Sequence, residues 1–450
     1  MADEKIKVVY SWIGPRGPIW NTELPNVLSF ANVAEGGHTN SHMWWADDLW
    51  NRVFSKNKDI FELTAAQSIE CDDERPFIFP YSLAWRIVFE NYFVGGTGLL
   101  EFSHMPGHIK QLTRTGNGHI LVDMSVEAFM SDNQIRAMTS YFRDSCHLPL
   151  NKIIYLTGAM NGQELYGQYC KRFNIPNDPY NRMHVIVYPS SQSVYAGQIM
   201  RGELTEPEYD TEHLPEKLFL AWNRRFRFHR TVMALGLDKL GLVDRSYFSF
   251  NLRDPEKIEA AFPAICNYQQ LEYYGINRED AEAFSKKLPL VIDGEENINN
   301  MCEDRGQASR PYYKNSLVSI ITETNYDLVE VTLTEKSFKP IKEKHPFIIV
   351  GVAGALQAMR NLGFKTFNDF WPEDYDIIND PSERIQRILK ICSDIGKWTP
   401  EQIIDFKRKV KPILDYNWQL LKKPAYEYAV ENIVRIVRHN TQQRREQTGL

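Results

Sequence analysis

The sequence predicts an α/β protein built from two parallel-sheet domains and closed by C-terminal helices. Three observations carry that reading. Short β-branched apolar runs alternate with helical segments at the spacing of βαβ units. The stretch GELTEPEYDTEHLPEK, Gly202 to Lys217, is acidic, proline-containing and without periodicity, so it divides the chain. A chain of 450 residues also exceeds what one compact core holds. The expected domains are therefore residues 1–205 and 206–400, with helices in residues 401–450.

Composition narrows the class. Hydrophobic residues at 43% and aromatics at 12% suffice for sizeable cores. No apolar run nears the ~20 residues of a membrane span, so no membrane partner is expected. Met1 to Lys5 is acidic and runs straight into a strand, which does not read as a signal peptide. The six cysteines lie far apart with no C-x-x-C pair, as reduced thiols of a cytoplasmic protein would. The net charge of −6 argues against a protein that coats nucleic acid but leaves room for a local basic groove. The lysines and arginines after Glu401 fit a solvated helix face as well as a ligand surface.

In chain order, Lys5 to Trp12 is a strand feeding the loop Ile13 to Pro18. Arg16 in that loop either meets a phosphate or decorates a rigid turn. Trp20 to Trp50 is rich in aromatics and histidines. Trp44 and Trp45 are either core or a stacking platform for a sugar or an unstacked base. His38 and His42 have ligand spacing, but Gly36-Gly37 before them argues for a loop. His104 and His108 are separated by Pro106 and Gly107, which break any helix. Residues His119 to Met124 form a buried strand that runs into Asp123, Ser125 and Glu127. A helix over Asp132–Phe142, a strand over Lys152–Thr157, a helix including Tyr166 to Phe173 and a strand over Met183–Tyr188 complete the first sheet.

The second domain opens with the strand Leu218 to Trp222. Asn223-Arg224-Arg225-Phe226-Arg227-Phe228-His229-Arg230 follows at its end. Such a density of cations directly after a buried strand suits phosphate oxygens. Val243 to Phe250 reads as a strand and Asp254–Ala261 as a helix. Pro263 to Arg310 reads as an irregular polar insertion or lid. Ser316 to Ile321 is a buried strand ending at Thr322-Glu323-Thr324. Thr334 can cap a helix whose first backbone N–H groups favour an anion. Pro346 to Val350 is the next strand, and Gly351 to Gly354 lets backbone approach a ligand before the helix Ala355–Leu362. Asp374 and Asp376 form a D-x-D, but after an aromatic loop, so they read as structural and no metal is expected. Helices over Pro400–Leu421 and Ala425–His439 end the chain.

The order Ile320-Ile321-Thr322-Glu323-Thr324, Thr334-Glu335-Lys336, Pro346-Phe347-Ile348-Ile349-Val350-Gly351 resembles the donor-site signature of the α1,3-fucosyltransferases. Those are glycosyltransferases of the GT-B fold. The wider chain, including Phe219 to Arg225 and Leu362 to Phe367, resembles glycosyltransferase-like proteins of tailed phages. The resemblance implies two Rossmann-like domains facing a cleft, with the terminal helix crossing back onto the first domain through Tyr426, Ile433 and Val437. It implies a nucleotide-diphosphate sugar as donor and no permanently bound cofactor. Glu335 then resembles the carboxylate on the ribose hydroxyls and Lys336 the cation on the diphosphate. Arg224 or Arg225 becomes the second phosphate cation, and Glu323 and Gly351 line the donor.

Without a metal, those cations alone would meet the charge developing on the leaving diphosphate. An inverting transfer would also need a carboxylate base from the first domain, for which Glu127 and Asp123 lead and Glu101 is third. A buried or salt-bridged carboxylate is the bland alternative for each. The phage resemblance points to 5-hydroxymethylcytosine in double-stranded DNA as acceptor, with a pentose such as arabinose or a hexose transferred in the host cytoplasm. A flipped base would then stack on the Trp44–Trp50 region. A glycan or lipid-linked acceptor, and a catalytically silent GT-B shell, are the competing readings. A nucleotide-sugar epimerase is disfavoured because Ile13 to Pro18 lacks G-x-G-x-x-G.

Overall fold

The computed structural model describes residues 4–10, 13–14, 17–18, 53–54, 56–70, 72–82, 107–125, 130–223, 226–250, 268–292, 309–423 and 425–448. Within these, the chain divides into two compact units. The first comprises residues 1–193 and 424–450, the second Val194–Lys423.

The first unit carries strands β1 (Ile6–Tyr10), β4 (Phe61–Ala65), β5 (Phe77–Ser82), β6 (Gly118–Met124), β7 (Ile153–Thr157) and β8 (His184–Val187). A two-residue antiparallel pair, β2 (Ile13–Gly14) and β3 (Gly17–Pro18), follows β1. The six-stranded sheet has the order β4-β1-β5-β6-β7-β8, every pair parallel. Helices α1 (Gly107–Thr115), α2 (Asp132–Ser140) and α3 (Gly162–Arg172) bury Ile109, Ile135, Met138 and Tyr166 against Phe77, Ile120, Val122 and Tyr155. The alternate residues Ile78, Leu121, Ile154 and Leu156 face the other way, as strand pleating requires. Helix α4 (Ser190–Met200) follows β8.

The second unit holds β9 (Lys217–Asn223), β10 (Ser246–Phe250), β11 (Ser316–Thr322) and β12 (Phe347–Val350), in the parallel order β10-β9-β11-β12. The chain steps from β9 outward to β10, then jumps back across β9 to β11. The strand order reverses between β9 and β11, and such reversals are where α/β sheets bind ligands at their carboxyl ends. Its helices are α5 (Phe228–Lys239), α6 (Tyr268–Tyr273), α7 (Arg278–Ser285), α8 (Arg310–Lys314), α9 (Glu335–Lys342), α10 (Ala355–Asn361), α11 (Pro381–Ile395) and α12 (Pro400–Leu421). Helix α13 (Tyr426–Thr448) belongs to the first unit, where Ala429, Val430, Ile433 and Val437 cover the second face of its sheet.

Two expectations need correction. Within Pro263 to Arg310, residues 268–285 are not irregular: they form α6 and α7, the latter capped by Asn277, whose side chain accepts from the Asp280 N–H at 2.7 Å. Scattered apolar residues, Leu271, Tyr274, Ile276, Ala281 and Phe284, are all buried within a polar sequence. Phe284 meets the Phe250 ring edge-on at 5.8 Å. The terminal helix also runs on to Thr448, beyond His439.

Candidate functional site

The carboxyl ends of β9 and β11 are tied together. Thr322 Oγ1 donates to Asn223 Oδ1 at 2.5 Å, and the Asn223 N–H donates to Ser249 Oγ on β10 at 3.0 Å. Thus the last residues of β9 and β11 and the penultimate residue of β10 are locked together at the reversal point. The chain leaves Asn223 directly into Arg224 and Arg225, which lie outside the described residues.

Beneath this edge, α5 turns two polar residues inward. His229 Nε2 donates to the Glu323 carbonyl at 2.9 Å, and Arg230 Nη2 reaches the Thr322 and Glu323 carbonyls at 3.2 and 3.3 Å. Both side chains are buried. Burial, reinforced by the Arg230 charge, drives His229 down to about 3, so the ring is neutral and carries its proton on Nε2. The imidazole stacks on Tyr326 with centroids 5.2 Å apart, and Arg384 covers that phenol ring at 4.4 Å. Tyr326 Oη donates to the Pro381 carbonyl at 2.6 Å. The loop after β11 is therefore braced at its base.

Helix α9 begins where that loop ends. Thr334 is its N-cap, accepting from the Lys336 N–H at 3.4 Å. Lys336 Nζ donates to Glu335 Oε1 at 2.8 Å, Thr334 Oγ1 at 3.2 Å and Thr324 Oγ1 at 3.3 Å. The Glu335 and Lys336 side chains remain 44% and 27% exposed, so both can meet a ligand. Burial works against the Glu335 carboxylate, but Lys336 and then Lys339 outweigh it and hold the group below its ordinary range.

Glu323 lies differently. It has no exposed surface, and its carboxylate accepts from the Thr324 and Thr334 N–H groups and from the Thr334 and Ser337 hydroxyls. Gly351 packs behind it: a Cβ there would stand 3.6 Å from Glu323 Cβ and 3.2 Å from Ile349 Cγ2. Gly354, at φ +90°, leads into α10, whose Leu356 and Gln357 N–H groups both donate to Asp376 at 2.8 Å. Asp376 is thus a helix cap, while Asp374 pairs with Arg387 on the surface. Among the described residues no group of three or more His, Cys, Asp or Glu is placed to hold a metal ion, and no helix is long and apolar enough to cross a membrane.

In the first unit Asp123 sits near the carboxyl end of β6, 5% exposed, with Oδ1 accepting from the Ser125 N–H at 2.9 Å. The Ser125 carbonyl in turn accepts from Ser190 Oγ at 2.9 Å. Glu127, Glu101, Arg16, Trp44 and Trp45 fall outside the described residues, as do His38, His42 and His104. His108 is within hydrogen-bonding distance of the Ala66 carbonyl, at 2.9 Å. The structure thus gathers Glu323, Glu335, Lys336 and Gly351 around one strand end in the second unit. Sequence reasoning assigned no role to Asn223 or Tyr326 and counted His229 and Arg230 among the cations suited to phosphate oxygens, whereas both are buried against strand-end carbonyls. The available signal was a His-Arg pair opening the otherwise apolar helix FHRTVMALGL.

No protein-family model matches the chain, and no curated protein matches it. Solved structures do. The α,α-trehalose 6-phosphate synthase of Burkholderia multivorans aligns with a TM-score of 0.41 and 10% identity, over 85% of this chain and 74% of that one. The UDP-forming α,α-trehalose-phosphate synthase of Burkholderia vietnamiensis aligns with a TM-score of 0.40 and 10% identity, over 83% and 72%.

Proposed function

We propose that this chain is a GT-B glycosyltransferase that draws a sugar from a nucleotide diphosphate. The supporting observation is the half-exposed Glu335–Lys336 pair beside the point where the strand order of the second unit reverses. In this reading Glu335 accepts the two ribose hydroxyls, since a carboxylate offers two oxygens to adjacent donors. Lys336 faces the diphosphate and meets the charge that builds as the sugar departs. Arg224 or Arg225, one or two residues along the chain from Asn223, adds the second cation. Transfer is metal-independent and inverting, and Asp123 or Glu127 takes the acceptor proton.

The favoured acceptor is 5-hydroxymethylcytosine in double-stranded DNA, receiving arabinose or a hexose. That choice rests on the sequence resemblance to tailed-phage proteins. A glycan or lipid-linked acceptor is the second reading, favoured by the net charge of −6. Incubation with UDP- and GDP-sugars and either hydroxymethylated or plain duplex DNA, followed by nucleoside mass spectrometry, separates the two. A pentose or hexose mass gained only by the hydroxymethylated DNA supports the first. Donor hydrolysis without any DNA mass gain points to the second, and no turnover of any donor favours a silent shell.

A further inference from the structure

We infer that Glu323 is a positioning residue that sets the direction and polarity of the Lys336 ammonium, without touching the donor itself. The inference rests on the donor reading above and deepens it. Glu323 has no exposed surface, yet each carboxylate oxygen takes two hydrogen bonds. Oε1 accepts from the Thr334 N–H at 2.9 Å and from Ser337 Oγ at 2.6 Å. Oε2 accepts from the Thr324 N–H at 3.0 Å and from Thr334 Oγ1 at 2.6 Å. One side chain therefore clamps both ends of the loop between β11 and α9.

The consequence for Lys336 follows from hydrogen counting. A threonine hydroxyl has one hydrogen to give. Thr334 gives its hydrogen to Glu323, so only lone pairs are left to face the Lys336 N–H at 3.4 Å and Nζ at 3.2 Å. The second hydroxyl under Nζ belongs to Thr324, whose own N–H is held by Glu323. Of the three groups the ammonium leans on, Glu323 bonds the Thr334 hydroxyl directly and holds Thr324 through its backbone N–H, and the third is Glu335. A neutral amide at position 323 can turn a donor toward Thr334, reverse that hydroxyl and leave its hydrogen facing the ammonium. The cation is then free to swing from its place.

The test is calorimetric titration of the full chain with inorganic pyrophosphate, which carries neither base nor ribose. Wild type is expected to bind, and Lys336→Ala to bind about 10- to 100-fold more weakly, the usual size of a charged hydrogen bond. Glu323→Gln should lose a comparable factor, and Glu323→Gln in the Lys336→Ala background should lose nothing further, because the residue acts through Lys336. Thr334→Ser should keep the affinity, whereas Thr334→Val should fall with Glu323→Gln; this pair serves if Glu323→Gln does not fold. Additive losses in the double variant, or unchanged affinity in Glu323→Gln or Thr334→Val, overturn the inference while leaving the donor reading intact. Failure of wild type to bind pyrophosphate, or undiminished binding by Lys336→Ala, sinks the donor reading and this inference with it.

Discussion

Glu335 and Lys336 are neighbours of opposite charge, and as an ion pair at the surface they stabilise the fold by only about 0–1 kcal/mol. Their significance lies in what surrounds them: two threonine hydroxyls under the ammonium and a strand end whose carbonyls are held by His229 and Arg230. Lys336→Ala should therefore shift the unfolding free energy by less than about 1 kcal/mol, while its loss of diphosphate affinity is far larger. Chemical denaturation beside the titration would show the split, and a parallel loss of both would mean the lysine is structural. Buried histidines make a separate prediction. Burial holds His229 at about 3 and His345 at about 4, whereas an unfolded histidine titrates near 6.5. The unfolded chain binds protons first on acidification, so this stability is whole above about pH 6.5 and is lost as pH falls toward 4 and 3. His119 and His184 in the first unit shift in the same direction through burial. Urea unfolding between about pH 6.5 and 5 should show stability falling with acid, and His345→Gln should flatten that slope by up to about 1.4 kcal/mol per pH unit. An unchanged slope would mean His345 is already protonated in the fold.

Strands differ in how openly they announce themselves. β11 and β12 were legible to within a residue because both faces are buried and their β-branched runs stop at polar residues or glycine. β4 and β5 were not. Phe61–Ala65 is too short and mixed to show a period, and β5 carries Pro80, which argues against a central strand. The fold tolerates it because the β1 ladder meets β5 at Phe77 and Ile78 and stops before the proline. Glu335 and Lys336 could be read because one local motif holds both. Asn223 and Thr322 could not, since 99 residues separate partners that only the sheet order unites. Glu323 was legible as a carboxylate at a strand end, but its burial, which decides between binding a ligand and holding a loop, is a property of packing. Packing also makes Gly118 more demanding than its sequence suggests. A Cβ there would lie 2.3 Å from Phe77 Cζ and 2.8 Å from Cε1 and Cε2 of the same ring. The ring is itself buried between α1 and the sheet, so it has nowhere easy to go. Gly118→Ala should cost about 1–3 kcal/mol by overpacking, measured by thermal or denaturant unfolding. A neutral result would mean β5 and β6 separate without penalty.

Because α13 belongs to the first unit while the second is continuous from Val194 to Lys423, the two units should respond differently to loss of the tail. Val430, Ile433, Ile436 and Val437 are all buried against Ile6, Val8, Leu121 and Leu156. Burying four such side chains contributes roughly 6–12 kcal/mol as an upper estimate. That equals the whole stability of a typical domain, about 5–15 kcal/mol, so the first unit cannot keep its sheet covered without the helix. Asn440 adds specificity at the far end of α13, donating to the Asn151 carbonyl at 2.9 Å. The second unit loses none of its own strands, and the Glu323–Thr334–Lys336 chain lies wholly inside it. Deleting residues 424–450 should remove the calorimetric transition of the first unit and leave that of the second, with pyrophosphate binding through Lys336 retained. Limited proteolysis of the truncated chain should then cut first within residues 1–193 and spare a fragment near Val194–Lys423. Loss of both transitions together would show that the second unit draws its stability from the first, and that its ligand site cannot be studied apart from it.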